Sequence, residues 1–409
     1  MNIKPLLSSD HTVNKNIRWA MGNSLFRSAW LTLASGTVLQ IFLLSNGVSE
    51  TQLGLGKLLA YSCTVLGYIV FMHPSAMIGA SKLVHTHRRT LACLFILPLS
   101  AFSLGLVSGS LSSGAFFALF CGMWMLSCFF CARSDIITYR LDGCIYEPGV
   151  YGKVFGLLGI VSGVLSVILG GAIAPVMKIT NEKTAYCIIF ASAAALAAGA
   201  YLTAGHYEPV RDPVTPDSPT VFHLLRETVG DARSRRVVII HILRGASSGI
   251  TYFLVPAGLR FFGIETLDVG YITVLATAAG FAANIFIFFG LDRLGVVKTS
   301  VLSVAVQVAS LLPLIIFQNK PLFMGMFFLF TFGSLVLATA MPVGVLRVIE
   351  PQKLAAVTSL RLLIFQLTDS LMSFCASNRI MQFFGWFIIA VCVLKAVKLA
   401  LIAVTFRER

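Results

Sequence analysis

Three ionisable side chains stand deep inside long apolar stretches of this sequence: Arg27, Arg244 and Asp369. A charge at the centre of a membrane helix costs about 2.5–3.5 kcal/mol on insertion scales, so such residues usually face a water-filled path and handle a substrate or ion. Helical spacing groups Arg27 with Asn23 and Trp30, and Arg244 with His241, Ser247, Ser248, Thr251 and Tyr252. Each face is polar among apolar surroundings. Two guanidinium groups can hold one anion between them by charge-assisted, bidentate bonds. Arg27, Arg244, Asn23, Trp30, His241 and Tyr252 are therefore the expected substrate contacts. Asp369, with Gln366 beside it, is the expected proton-coupling site. It is expected to pair with Arg244 or Arg27 in the empty protein, and to be displaced by an incoming anion.

Other reactive residue types lack the company that chemistry needs. Cys128-Phe-Phe-Cys131 has the form of a CxxC pair, but it lies in an apolar stretch with no second ligand pair. His73, His85 and His87 fall in an expected basic loop, without a rigid third ligand. The spacing of a phosphate-binding loop is absent, and so is a clustered catalytic set. The sequence predicts no cofactor, no metal and no enzymatic activity.

The elements that must carry these residues follow from composition. The chain has 409 residues, 57% hydrophobic and only 12% charged. A soluble domain carries about 25% charged residues, so a water-facing globule is excluded. Spanning helices need about 20 apolar residues, and on that measure about twelve spans are expected. They run roughly over 18–44, 52–72, 90–108, 114–136, 151–176, 184–203, 237–261, 268–290, 298–317, 321–346, 355–378 and 382–405. Asp369 is the acid singled out well inside a span, and Arg27 and Arg244 the bases. The net charge of +14 comes from 31 Lys and Arg against 17 Asp and Glu. Most of that excess falls in one alternate set of connectors, which places both termini in the cytoplasm of a plasma or inner membrane. Membrane topology accounts for the charge without a nucleic-acid partner.

The longest connector, 204–236, is rich in proline and arginine and divides the chain into residues 1–203 and 237–409. The halves repeat each other. Tyr146-Glu147-Pro148 precedes the fifth span and Ile349-Glu350-Pro351 the eleventh. Arg133 ends the fourth span and Arg347 the tenth. Arg27 and Arg244 each lie about two turns into their spans. Two six-span halves joined by a long basic loop is a plan of secondary transporters.

On these features the sequence resembles the major facilitator superfamily. The loop Asp292-Arg293-Leu294-Gly295, followed by Lys298, is similar to the superfamily's signature loop, though its leading glycine is missing. Arg133 resembles the superfamily's span-four arginine. The resemblance implies an all-α polytopic membrane protein with about twelve transmembrane helices in two pseudo-symmetric six-helix bundles. It implies that Asp292, Arg293, Arg133, Arg347, Glu147 and Glu350 gate the cytoplasmic side. The Arg27 and Arg244 pair resembles that of organophosphate antiporters in the superfamily. The expected function is alternating-access transport of a small organic anion, proton-coupled or anion-exchanging, by a monomer in the lipid bilayer. An exporter of amphipathic drug or lipid-like compounds is the alternative. A transporter-like sensor or membrane-embedded enzyme is the alternative of another class.

Overall fold

A computed structural model describes residues 10–406, apart from 35, 77, 108, 147–150, 211–225, 227–229, 266–267, 350, 378 and 380–381. The described elements are helices: α1 His11–Ala34, α2 Gly36–Ser45, α3 Glu50–Ala76, α4 Ala80–Thr90, a 3-10 turn Leu91–Phe95, α5 Ile96–Val107, α6 Ser113–Ile145, α7 Tyr151–Ile179 and α8 Glu182–Thr203. After the long connector come α9 Ala232–Thr251, α10 Leu254–Phe261, α11 Val269–Leu311, α12 Pro313–Ile316, α13 Lys320–Val348, α14 Pro351–Ser377 and α15 Phe384–Thr405.

Several starts are set by local capping. Ser112, Asn181, Asp231 and Asn319 each accept a hydrogen bond from the backbone N–H three residues on, satisfying a donor that the first helical turn leaves open. Eleven of the described helical stretches are long and apolar enough to cross a membrane. Leu66, Ile168, Trp386 and Val404 are exposed on them, as a lipid-facing surface requires. The expected eleventh span, α14, is helical but not among those eleven. Arg361, Gln366, Thr368, Asp369, Ser370 and Ser373 make it polar.

The spans differ from their expected forms in several places. The first divides into α1 and α2, with Gly36 at φ +54°. The seventh divides at Tyr252 and Phe253 into α9 and α10. Each break lies about two turns beyond the arginine of its span. The third begins at Ala80, so His85 and His87 are on a helix and not in a loop, and His87 is buried. The eighth and ninth are two spans, as expected, but within α11 they meet without a longer loop, at a sharp kink at Gly295. Its φ of +74° lies in the left-handed region where a Cβ is costly, so the turn rests on glycine.

Contacts divide the chain into two compact units, Met1–Asn46 with Cys63–Ser218, and Gly47–Ser62 with Pro219–Arg409. Helix α3 therefore contributes its opening turns to the second unit and the remainder to the first. In the first unit α1 packs against α7 and α8, and α5 against α6 and α8. The expected connector begins as a docked segment. Asn16 binds the backbone of Glu208 in both directions, at 2.7 and 2.8 Å, and Trp19 stacks on His206. Tyr207 is buried there, and burial pushes its phenol above the ordinary value. In the second unit α9 packs against α14 and α15, and α11 against α13 and α15.

Candidate functional site

In the first unit the Arg27 guanidinium lies 3.2 Å from the Asp135 carboxylate. Tyr68 donates to the other oxygen of Asp135 at 3.1 Å. Arg27 is thus compensated within its own unit, against the expectation that it waits for an anion or for Asp369. Asp135 escaped the sequence reading because the fourth span was expected to end at 136. Helix α6 runs on to Ile145 and carries Asp135 well inside. Asn23, expected to meet substrate, donates to the Ala200 carbonyl at 2.7 Å and to Thr203 Oγ1 at 3.3 Å, which ties α1 to α8. Trp30 is buried, and its indole N–H has no partner among the described residues. The second cysteine of the CxxC, Cys131, faces Cys93 with the sulfurs 3.8 Å apart.

The Arg27–Asp135 pair is testable by a double-mutant cycle. Asp135→Asn, Arg27→Gln and the double variant should show a coupling of about 1 kcal/mol, small because both side chains are about a third exposed. Additive effects on stability in detergent would remove the pair as an interaction of consequence.

The second unit holds a tighter ion pair. Lys57 Nζ sits 2.8 Å from Asp369 Oδ2, with the two side chains 4% and 3% exposed. The same ammonium donates to Ser373 Oγ at 2.9 Å and lies 3.9 Å from the centre of the Tyr252 ring. Ser373 in turn donates to the Gly249 carbonyl at 3.0 Å. The partner of Asp369 is therefore Lys57 and neither Arg244 nor Arg27. This corrects the expected pairing of Asp369 with an arginine. It also places Tyr252, at the break of the seventh span, against a lysine. Asp369 Oδ1 and Gln366 Oε1 are buried without a hydrogen-bond partner among the described residues.

Further inside this unit the buried charges are basic. His241 is 1% exposed, Arg361 4%, Lys395 3% and Lys398 1%. Arg244 lies with its guanidinium 4.8 Å from the centre of the Phe365 ring. His241 is within electrostatic reach of Arg244, Arg361 and Lys398, and Arg244 within reach of both lysines. Lys395 donates to Gln307 Oε1 and lies 5.1 Å from the centre of the Phe330 ring. Gln307 passes the chain on to Ser303 at 3.1 Å. Among the described residues no carboxylate pairs with Lys395 or Lys398. Arg27 and Arg244 were the bases singled out from sequence; Lys57, Arg361, Lys395 and Lys398 also fall inside expected spans, and the structure buries all four. A signal existed, since Lys395 and Lys398 continue the helical stripe of Ile388, Val391 and Ile402.

The expected gate is only partly described. Arg293 is exposed, and Arg133 lies 5.5 Å from the Phe71 ring centre. The side chains of Asp292 and Arg347 lie outside the described residues, as do Glu147 and Glu350 altogether. No group of three or more metal-ligating side chains occurs among the described residues.

No protein-family model matches the chain, and no curated protein matches its sequence. Solved structures match its fold over nearly its full length. The human organic anion transporter MFSD10 (TETRAN) matches with a TM-score of 0.66 at 14% identity, covering 96% of this chain and 100% of that one. The nucleoside transporter NupG matches with a TM-score of 0.65 at 14% identity, covering 97% of this chain and 100% of that one. A bacterial homologue of the iron transporter ferroportin gives 0.64 at 13% identity, covering 98% and 100%. The helical plan, the membrane-length spans and these likenesses together give the chain the fold of the major facilitator superfamily of membrane proteins.

Proposed function

We propose that this chain is a secondary transporter that carries a small organic anion across a plasma or inner membrane by alternating access. The likeness to solved transporters supports transport as the class of activity. The observation that carries the anion is the buried basic set of the second unit. Lys395 and Lys398 are buried in membrane helix with no described carboxylate to meet them, and Arg244 and His241 lie within reach. Ions taken out of water cost several kcal/mol each unless countered. An anionic cargo supplies the counter-charge. Asp369 and Gln366, each with an unpartnered buried oxygen, are the proposed place for a coupled proton. Exchange of one anion for another is the other form of coupling, and a single chain suffices for either.

Purified protein screened by thermal shift against anionic, neutral and cationic metabolites tests the cargo, because a bound ligand stabilises by mass action. Anions should raise the melting temperature, and proteoliposomes loaded with the same anion should show counterflow. Stabilisation confined to cations or neutral compounds would sink the anion assignment.

Both termini and the 204–236 connector are proposed to be cytoplasmic, on the lysine and arginine bias. In a cysteine-free variant, Ser45→Cys and Asn319→Cys should react with an impermeant thiol reagent from outside. Labelling of Ser218→Cys from outside instead would reverse the orientation.

A further inference from the structure

We infer that Lys395, Lys398 and His241 form the head of a site for an organic dianion, which makes these three residues the determinants of cargo charge. The inference rests on the anion-transport reading above and names the cargo class more closely.

Helix α15 buries Ile388, Val391, Lys395, Lys398, Ile402 and Thr405. These positions form one stripe at helical spacing, the stripe that packs inward. Four of the six do ordinary core or near-core work. The two lysines sit one turn apart at its centre, so their Cβ atoms are about 5–6 Å apart. A core position filled by leucine or methionine would be at least as stable, since buried ions are commonly no better than apolar residues of similar volume. Two adjacent lysines on a core stripe therefore point to a ligand and not to packing.

The nearest neutral partner cannot discharge them. Lys395 has the Gln307 carbonyl oxygen and the Phe330 ring, both uncharged. The carboxylate of Asp369 is engaged by Lys57. Across from α15, on α9, His241 offers a second and independent sign of an absent ligand. Its Nδ1 is 2.9 Å from the Val237 carbonyl. A carbonyl only accepts, so Nδ1 carries the proton, and in the neutral ring Nε2 carries the lone pair. That Nε2 is buried, on a side chain 1% exposed, and has no partner among the described residues. An anion can be met there only after Nε2 takes a proton and becomes a donor. The charged groups around it are Arg244 on its own helix, Arg361 on α14 and Lys398 on α15.

The charge count then selects the cargo. Each of the two adjacent amines needs its own counter-charge to be held ionised in this interior, and a monoanion supplies only one. A compact head with two negative charges, a phosphomonoester or a short dicarboxylate, answers both and can accept from His241 as well. The second charge adds charge-assisted hydrogen bonds, so it should bring about tenfold or more in affinity.

Size-matched pairs test this with the intact protein. Phenyl phosphate should bind at least about tenfold tighter than benzoate, and succinate than butyrate, by thermal shift and by isothermal titration. Lys398→Met and Lys395→Met should each erase that preference while the melting temperature without ligand holds or rises. Lys395→Arg and Lys398→Arg, which restore the charge, should keep a preference for the dianion. Equal binding of the monoanion and dianion by the unsubstituted protein would overturn the inference and leave the anion reading standing. So would a dianion preference that survives both methionine variants. A fall in melting temperature in both methionine variants, with the arginine variants keeping no dianion preference, would mark the lysines as structural and also overturn it. Failure of every anion to stabilise the protein would remove the anion reading itself.

Discussion

Asp369→Asn should cost the folded protein about 3–5 kcal/mol, and adding Lys57→Met should return most of that loss. The pair is all but sealed from solvent. Removing one charge leaves the other buried and uncompensated, which is the expensive case. Removing both leaves a neutral amide and a methionine beside Tyr252, with no buried charge to compensate, which is the cheaper case. Ser373 and the Tyr252 ring cannot make up the difference, because both are neutral partners of the same ammonium. Denaturation in mixed micelles gives all three stabilities. If Asp369→Asn is as stable as the starting protein, the ion pair is not part of what holds the opening turns of α3 to α9 and α14. If the double variant is worse than either single one, the lysine and aspartate do separate work.

Gly249→Ala should be almost as damaging, at about 1–3 kcal/mol or more, through a different cause. A Cβ at this position would lie 2.3 Å from the Asp369 carbonyl oxygen and 2.9 Å from the Ser373 backbone nitrogen. Those are backbone atoms of a packed helix and cannot swing away as a side chain could. One turn earlier, a Cβ at Gly245 would lie 2.7 Å from the Phe365 carbonyl oxygen. The two glycines let α9 and α14 touch backbone to backbone, and that contact sets Asp369 and Ser373 where Lys57 meets them. Gly249→Ala should therefore lower the melting temperature and weaken the Lys57–Asp369 coupling in a double-mutant cycle. Gly325→Ala is the control, since nothing lies within contact distance of a Cβ there. A Gly249→Ala protein that melts with the Gly325→Ala protein would mean that α9 and α14 do not approach this closely.

Much of the architecture was legible in residue order because membrane insertion is a local test. A helix in lipid must satisfy its own backbone and present about 20 apolar residues, and each segment meets or fails that condition alone. Hence most spans could be read directly. So could the interior position of Asp369. Helix starts at Ser112, Asn181, Asp231 and Asn319 were equally local, each resting on one side-chain oxygen and one nearby N–H.

What the sequence by itself determined was therefore which segments cross the membrane and which polar groups travel with them. Which charge meets which was decided by tertiary structure alone. Lys57 and Asp369 are far apart in the chain, and so are Arg27 and Asp135, and no periodicity relates either pair. Their meeting depends on how closely two helices approach and how each is rotated. For α9 and α14 that comes from Gly245 and Gly249, a pair four residues apart that favours close helix contact but does not say which helix it meets. The same reason explains Lys395 and Lys398. Helical spacing puts them on one face, but only packing against α9 and α11 makes that face an interior and turns two lysines into buried charge.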